Sequence, residues 1–223
     1  MPSARIHEVI AKKINEEYGM DELLLRIGTV APDCWRNSKI STKHTTHFWD
    51  FSIKEGQANN YNEFYNKYRD NISNPVYFGY LIHLITDQYW KTYIDPKFIS
   101  EENGNKVFKT KDGKMIKDEN YFGYNETKKV QKMLAQKYEL EKFPIEKEDI
   151  LNFECEIEEL DLNGLFGENG TLNYINKTYS GDSIEESIVF DFDDIINSID
   201  ETVDYIKKEL EKLNIKIYKK VLG

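Results

Sequence analysis

The chain has few of the features that mark several large classes of protein. Its two cysteines, Cys34 and Cys155, lie far apart and give no disulfide framework, which fits a reducing compartment. Its apolar runs are shorter than the roughly 20 residues that a membrane span needs, and its first residues lack the apolar core of a secretory signal. The sequence therefore predicts a cytoplasmic protein without a transmembrane segment.

Positive charge is also in short supply. The 223 residues include 40 acidic and 30 basic side chains, a net charge of −10. Such a surface repels a phosphate backbone, so nucleic acid is an unfavourable partner. Gly164, Gly167 and Gly170 follow no predicted strand and match no phosphate-loop signature, so they predict no nucleotide site. The chain is rich in Tyr and Phe, and this argues against disorder.

Hydrophobic periodicity predicts a helical protein. Residues 75–90 are apolar on nearly every side, which is typical of a buried central helix; Asn74 can cap it and Pro75 suits its first position. Further helices are predicted over residues 4–18, 21–30, 59–71, 125–141, 146–160, 171–178 and 185–213. The predicted fold class is therefore all-α, a multi-helix bundle around a buried metal site.

One segment departs from the helical pattern. The alternation around Asp112-Gly113 predicts a β-hairpin near residues 106–117, inserted on the surface of the helical protein. No Pro/Gly/Ser linker and no internal repeat divides the chain, so it is predicted to be one helical domain. Its predicted parts are a metal-binding core (1–95), the hairpin insertion (104–120) and C-terminal helices (125–213).

The predicted central helix contains two groups that are costly to bury. His83 and Asp87 are four residues apart and so point to the same side of the helix, one turn from each other. An imidazole and a carboxylate buried without partners would be strongly destabilising, and a metal ion is the simplest compensation. The sequence therefore predicts a cation beside this pair.

The other candidate ligands also lie in or beside apolar segments. The complete set is His7, Asp33, His44, His47, His83 and Asp87. Imidazoles with carboxylates suit zinc and similar divalent ions, and one or two ions are predicted. His44 and His47 would share one side of a helix, but their spacing does not decide whether both bind. His7 could instead be an ordinary half-buried helix histidine, and Asp33 a turn residue after Pro32.

Four short motifs together resemble the bacterial zinc-dependent phospholipase C family. They are Met-Pro-Ser-x-x-x-His at residues 1–7, Ala-Pro-Asp at 31–33, Thr-His-Phe at 46–48, and Gly-Tyr-Leu-Ile-His-Leu-Ile-Thr-Asp at 79–87. The resemblance covers residues 1 to about 95, and more distantly includes single-strand nucleases of the P1 type. It implies an all-α fold with a metal cluster in a cleft. By the same match, the ligands would be His7, Asp33, His47, His83 and Asp87.

The chain also departs from this family's pattern. Classical members carry another histidine shortly after the helix aspartate and then a His-x-x-x-Glu. Here Gln-Tyr-Trp-Lys-Thr-Tyr follows Asp87, and no histidine occurs after His83. One of the family's three metal positions would therefore be lost, or rebuilt from carboxylates or from His44.

The resemblance implies a zinc-dependent hydrolase that acts on a small phosphoester or a phospholipid head group. Asp33 would be its catalytic residue, bridging metals or accepting a proton from water. Arg36, Lys39 or Lys43 could neutralise a phosphate. Two alternatives stay open: the metal only holds together a non-catalytic binding protein, or no metal binds and His83 and Asp87 hydrogen-bond within the core. The sequence does not indicate an oligomeric state.

Overall fold

A computed structural model describes residues 2–50, 60–150, 153–178 and 185–215 as a mainly helical protein with one small antiparallel sheet. Within those ranges the α-helices are α1 (Ala4–Tyr18), α2 (Glu22–Val30), α3 (Lys43–Thr46), α4 (Tyr61–Tyr68), α5 (Pro75–Tyr89), α6 (Asp95–Phe98), α7 (Phe122–Lys137), α8 (Leu162–Phe166), α9 (Thr171–Lys177) and α10 (Phe192–Lys212). None of these helices is both long enough and apolar enough to cross a bilayer.

Helix α5 is the centre of the core, as its composition predicts. Twelve consecutive residues, Val76 to Asp87, are buried, and the Asn74 side chain caps the helix by accepting from the backbone N–H of Val76. Helix α2 packs directly against α5 because glycines meet at the crossing: a Cβ on Gly79 would lie 2.3 Å from the Leu25 carbonyl oxygen. This close approach brings the backbone of α2 to the side chains of α5.

Helix α1 also begins and ends where the sequence predicts. Ser3 occupies its N-cap position and Gly19 ends it in the left-handed conformation, with φ of 65°. Its buried face packs on α2, α5, α7 and α10, so the C-terminal helices cover the first part of the chain. His7 lies on this buried face.

The sheet has three strands where a hairpin is predicted. Strands β2 (Asn105–Lys109) and β3 (Met115–Lys117) pair around Asp112-Gly113 and confirm the hairpin. Strand β1 (Ile99–Glu102) adds an edge to β2; its Ile-Ser-Glu-Glu sequence carries little alternating hydrophobicity, so no strand is predicted there. Phe108 of β2 is buried and meets the rings of Phe122 and Phe190, which attaches the sheet to the helices.

Several predicted boundaries are wrong. Residues 31–37, which lie between the predicted helices 21–30 and 59–71, form a 3₁₀ helix, and the segment of Gly164, Gly167 and Gly170 includes helix α8; neither helix is predicted. The helix predicted over 146–160 is only a 3₁₀ turn at Lys147–Asp149 in its described part, and residues 59, 151 and 152 of the predicted helices lie outside the described residues.

The last helix begins seven residues after its predicted start because local hydrogen bonds hold the preceding segment in another conformation. Helix α10 begins at Phe192, where the Asp191 side chain accepts from the N–H of Asp193. Upstream, the Glu126 carboxylate accepts from the Ser187 hydroxyl and the Ile188 N–H. These bonds hold residues 187–188 in an irregular conformation, so the helical pattern starting near residue 185 is not realised there.

Candidate metal site

Four structural elements bring five of the six predicted ligands together. His83 and Asp87 come from α5, and His7 comes from α1. His47 follows the last residue of α3, and Asp33 lies in the 3₁₀ helix Ala31–Asn37. The three imidazoles are no more than 1% exposed and Asp87 is 3% exposed, whereas the Asp33 side chain is 15% exposed. Asp33 is therefore the accessible edge of this group, which we call the His/Asp cluster.

Three donor atoms of the cluster form a compact triangle. The Nε2 atoms of His47 and His83 are 3.3 Å apart, and Asp87 Oδ2 lies 3.5 Å from the first and 3.7 Å from the second. Ligand atoms at about 2.0–2.1 Å from a tetrahedral zinc ion are about 3.3–3.4 Å from one another. The triangle therefore has the spacing of three ligands on one small cation.

Hydrogen bonds on the far side of two rings orient them, and the bond at His83 also assigns its tautomer. His83 Nδ1 is 2.8 Å from the Thr29 carbonyl oxygen, which can only accept, so this nitrogen carries the hydrogen. The Thr46 hydroxyl lies 2.9 Å from His47 Nδ1 and 3.2 Å from the Thr42 carbonyl oxygen, so it orients the His47 ring in either tautomer. His83 Nε2 is therefore a bare lone pair that faces His47 Nε2, and a metal ion would select the His47 tautomer whose Nε2 is bare as well.

Asp87 is buried with one oxygen unsatisfied. Its Oδ1 lies 3.3 Å from His7 Nε2, but among the described residues Oδ2 has no hydrogen-bond partner. The rings of His7 and His83 stack, with centroids 3.9 Å apart and planes at 8°. A buried carboxylate oxygen without a hydrogen-bond donor is unfavourable by itself, and a cation beside it would compensate its charge.

The protonation states of the cluster are those that a metal requires. Burial lowers the pKa of His83 to about 3, with the His7 ring adding to the effect and Asp87 opposing it. Burial also lowers the pKa of His47, against the attraction of Asp87 and Asp33. For Asp87, burial would raise the pKa, but the neighbouring His83 and His7 rings hold the pKa well below its usual value. At neutral pH the His47 and His83 rings are neutral and the carboxylate is charged.

Asp33 connects the cluster to solvent. Its Oδ1 is 4.0 Å from His47 Nε2, 3.5 Å from Arg36 Nε, and accepts from the Trp35 indole N–H at 3.3 Å. Burial would raise the pKa of Asp33, but Arg36 and the rings of His83 and His47 outweigh it and lower the pKa overall. Asp33 is therefore ionised at neutral pH and is the carboxylate that an outside molecule reaches first.

His44 is the one predicted ligand that the structure places apart. It is exposed, its ring lies 4.4 Å from that of Trp49, and it belongs neither to the triangle nor to the two other groups of donor atoms that lie within 4.8 Å of one another. Those groups are His7 with His83 and Asp87, and Asp33 with His47 and His83. Because α3 ends at Thr46, the two histidines do not share a helix face.

Sequence reasoning missed the groups that orient the ligands. The Thr29 carbonyl is a backbone atom, so no side-chain pattern marks it. Thr46 precedes His47 directly, so a hydroxyl beside a candidate ligand is the one signal that the sequence offers.

Lys43 lies at the edge of the cluster, and its ammonium lies over the rings of Trp35 and Trp49. Burial lowers the pKa of Lys43, despite the nearby Asp87 and Asp33. A cationic, aromatic rim therefore stands beside the cluster.

Comparison with protein-family models, with curated proteins and with solved structures found no match for this chain.

Proposed function

We propose that the protein is a divalent-metal-dependent hydrolase of phosphoesters, with zinc as the preferred ion, similar in chemistry to the bacterial zinc-dependent phospholipase C family. The observation that carries the proposal is the triangle of His47, His83 and Asp87. Two imidazole Nε2 atoms and an unsatisfied carboxylate oxygen meet there in a buried site at the separations of shared ligands.

One ion is favoured over two. Both groups of candidate ligands include His83, and its Nδ1 is already committed to the Thr29 carbonyl. Only Nε2 is left, and one imidazole nitrogen binds one ion. We infer that His47, His83 and Asp87 would hold a single cation, with Asp33 as the accessible carboxylate beside them and His7 orienting Asp87.

The residues around the proposed cation have different roles in the reaction. A bound divalent cation supplies polarisation of a phosphoryl oxygen and lowers the pKa of a water molecule. Asp33, ionised and accessible, accepts the proton from the attacking water. Arg36, beside Asp33, binds a phosphate oxygen and compensates its charge. The burial of the three imidazoles excludes bulk water from their side of the site.

A second function is favoured by the burial itself. Structural metal sites are closed, whereas catalytic sites keep an open position. Because His7, His47, His83 and Asp87 are nearly inaccessible, the ion could instead hold α1, α3 and α5 together in a non-catalytic binding protein. The two functions differ in whether Asp33 leaves a coordination position for water.

The first experiment compares two histidine variants. Protein prepared without chelator is analysed for metal by mass spectrometry and for turnover of a panel of chromogenic phosphoesters. His83→Ala removes a ligand and should abolish binding of the ion, with turnover falling by more than the 10–100-fold that loss of an outer partner costs. His44→Ala, an exposed histidine outside the cluster, should keep both metal and turnover.

Each outcome of this experiment supports one of the two functions or contradicts the proposal. Absence of metal from the wild-type protein, or unchanged turnover in His83→Ala, contradicts the proposal. A metal that raises Tm strongly while no ester is hydrolysed selects the structural role. Anomalous scattering at the zinc edge counts the ions directly, and two peaks would contradict the single-ion inference.

A further inference from the structure

A cleft of about 430 Å³ adjoins the accessible edge of the His/Asp cluster. Its chemistry is set by six lining residues, and we call it the Asp33 cleft: Asp33, Arg36, Lys106, Asp118, Tyr124 and Tyr174. The volume lies within the 300–1,000 Å³ range of small-molecule sites. At about 30 Å³ per water molecule, it has room for on the order of ten heavy atoms.

The two walls of the cleft come from distant parts of the chain. Asp33 and Arg36 come from the 3₁₀ helix of the core, and Tyr174 comes from α9. The Thr171 hydroxyl donates to the Asp33 carbonyl, so α9 is attached to that segment. The opposite wall belongs to the sheet and the segment after it: Lys106 lies in β2, Asp118 follows β3, and Tyr124 lies in α7. The predicted surface insertion therefore forms part of this cavity.

The cleft offers two cations for an anionic group. The Arg36 side chain is 49% exposed, lies 3.5 Å from Asp33 Oδ1 and is held over the Trp35 ring at 5.1 Å. A guanidinium held in this way suits bidentate hydrogen bonding to two oxygens of a phosphate. Lys106 lines the same cavity and its ammonium lies over Phe108. Both carboxylates of the cleft are engaged, Asp33 with Arg36 and Asp118 with the N–H of Gly123.

The cleft also has an aromatic surface. The hydroxyl of Tyr174 donates to that of Tyr124 at 2.7 Å, and each residue is 43% exposed. Burial raises the pKa of Tyr174, and the hydrogen bond to Tyr124 raises it further, so the Tyr174 hydroxyl keeps its hydrogen. Two tyrosines joined in this way present a preorganised surface on which a planar or apolar group can pack.

We propose that the Asp33 cleft binds a small phosphate ester carrying one ring, with the phosphate on Arg36 and the ring against Tyr124 and Tyr174. This names the substrate class of the proposed hydrolase and rests on that proposal for its catalytic meaning. The binding itself depends only on residues that line the cleft. Arg36 fixes the anion, and the tyrosine pair selects ring-bearing esters over free phosphate.

The test uses two probes that cannot be hydrolysed and differ only in the ring. Methylphosphonate and phenylphosphonate are titrated into the full chain by calorimetry, before and after chelator treatment. The wild-type protein should bind phenylphosphonate several-fold more tightly. Arg36→Met should weaken both probes at least tenfold, and Arg36→Lys, which keeps the charge but loses the fork, should weaken them less. Arg69→Met is the matched control, since Arg69 is an exposed arginine paired with Asp70 and outside the cleft.

Tyr174→Leu separates the ring from the phosphate. It should remove the preference for phenylphosphonate and leave methylphosphonate affinity within about twofold. Equal affinity of Arg36→Met and wild type for both probes overturns the proposal, as does binding that survives Arg36→Met and disappears with chelator, because the anion would then sit on the ion. A ring preference unchanged in Tyr174→Leu also overturns it.

Metal content and phosphoester turnover of the same variants distinguish this proposal from the proposed function. Arg36-dependent binding in a protein that holds no metal would uphold the cleft and contradict the hydrolase. Hydrolysis by a metal-loaded protein whose KM is unchanged in Arg36→Met and Tyr174→Leu would uphold the hydrolase and contradict the cleft.

Discussion

The two central histidines owe their orientation to groups that are not ligands themselves. The Thr29 carbonyl fixes His83 by accepting from its Nδ1, and the Thr46 hydroxyl fixes His47 by a hydrogen bond with its Nδ1. These contacts leave the two Nε2 atoms free to meet. Partners of this kind hold the ring in place and raise its basicity toward a metal.

Thr46→Val tests this orientation at a position outside the donor atoms that would hold the proposed cation. Removing the hydroxyl should lower the affinity for zinc by about 10–100-fold, measured by competition with a chromophoric chelator. Thr86→Val is the control, because Thr86 is an equally buried threonine whose hydroxyl donates to the Ile82 carbonyl one turn back. Equal zinc affinities for the two variants would contradict the role assigned to Thr46.

Two helices that carry residues of the His/Asp cluster begin with different caps. At α5, the Asn74 side chain accepts from the N–H of Val76. At α1, Ser3 occupies the corresponding position but makes no capping bond, and within the described residues its buried hydroxyl has no partner. The two caps should therefore differ in their contribution to stability, although both residue types are good N-caps.

Asn74→Ala should destabilise the protein by about 1 kcal/mol, because an orphan N–H of α5 loses its acceptor. Ser3→Ala is the matched control and should change stability by less than about 0.5 kcal/mol, since it removes no hydrogen bond. Urea unfolding with a common m-value measures both. A larger loss in Ser3→Ala than in Asn74→Ala would show that the serine has a partner that these contacts do not account for.

For the whole molecule, the cluster links stability to pH. In the unfolded chain His47 and His83 titrate near pH 6.5, whereas burial keeps both pKa values lower in the folded protein, that of His83 at about 3. Below pH 6.5 the unfolded chain binds more protons than the folded one. The stability that these neutral rings provide is therefore present above pH 6.5 and is lost progressively as pH falls toward 3.

Chelator-treated protein should therefore lose stability on acidification from pH 7.5 to 4.5, by up to about 1.4 kcal/mol per pH unit for each such ring. Urea unfolding across this range measures the slope. His83→Gln should make the slope shallower, because one titrating group is removed. Metal-loaded protein should lose more stability than chelator-treated protein over the same pH range, since protons also displace the ion. A flat profile, or stability that rises on acidification, would contradict the burial assigned to the rings.

The predictions that succeed depend on near neighbours in the chain. Asn74-Pro75 before an apolar run determines the start of α5, and Gly19 determines the end of α1. The four-residue spacing of His83 and Asp87 puts them on one side of a helix, and Asp112-Gly113 sets the turn between β2 and β3. Capping, helical period and turn chemistry act over a few residues, so they can be predicted from the sequence alone.

The tertiary structure decided what depends on distant contacts. Nothing within a few residues distinguishes His47 from His44; the short α3 and its packing bury one ring in the cluster and leave the other exposed. The Asp33 cleft needs Arg36, Lys106 and Tyr174 to meet across nearly 140 residues of chain. The sequence by itself determined the long helices α1 and α5 and the candidate His and Asp side chains. Only the packed core decided which side chains meet, because burial and charge compensation are properties of the assembled molecule.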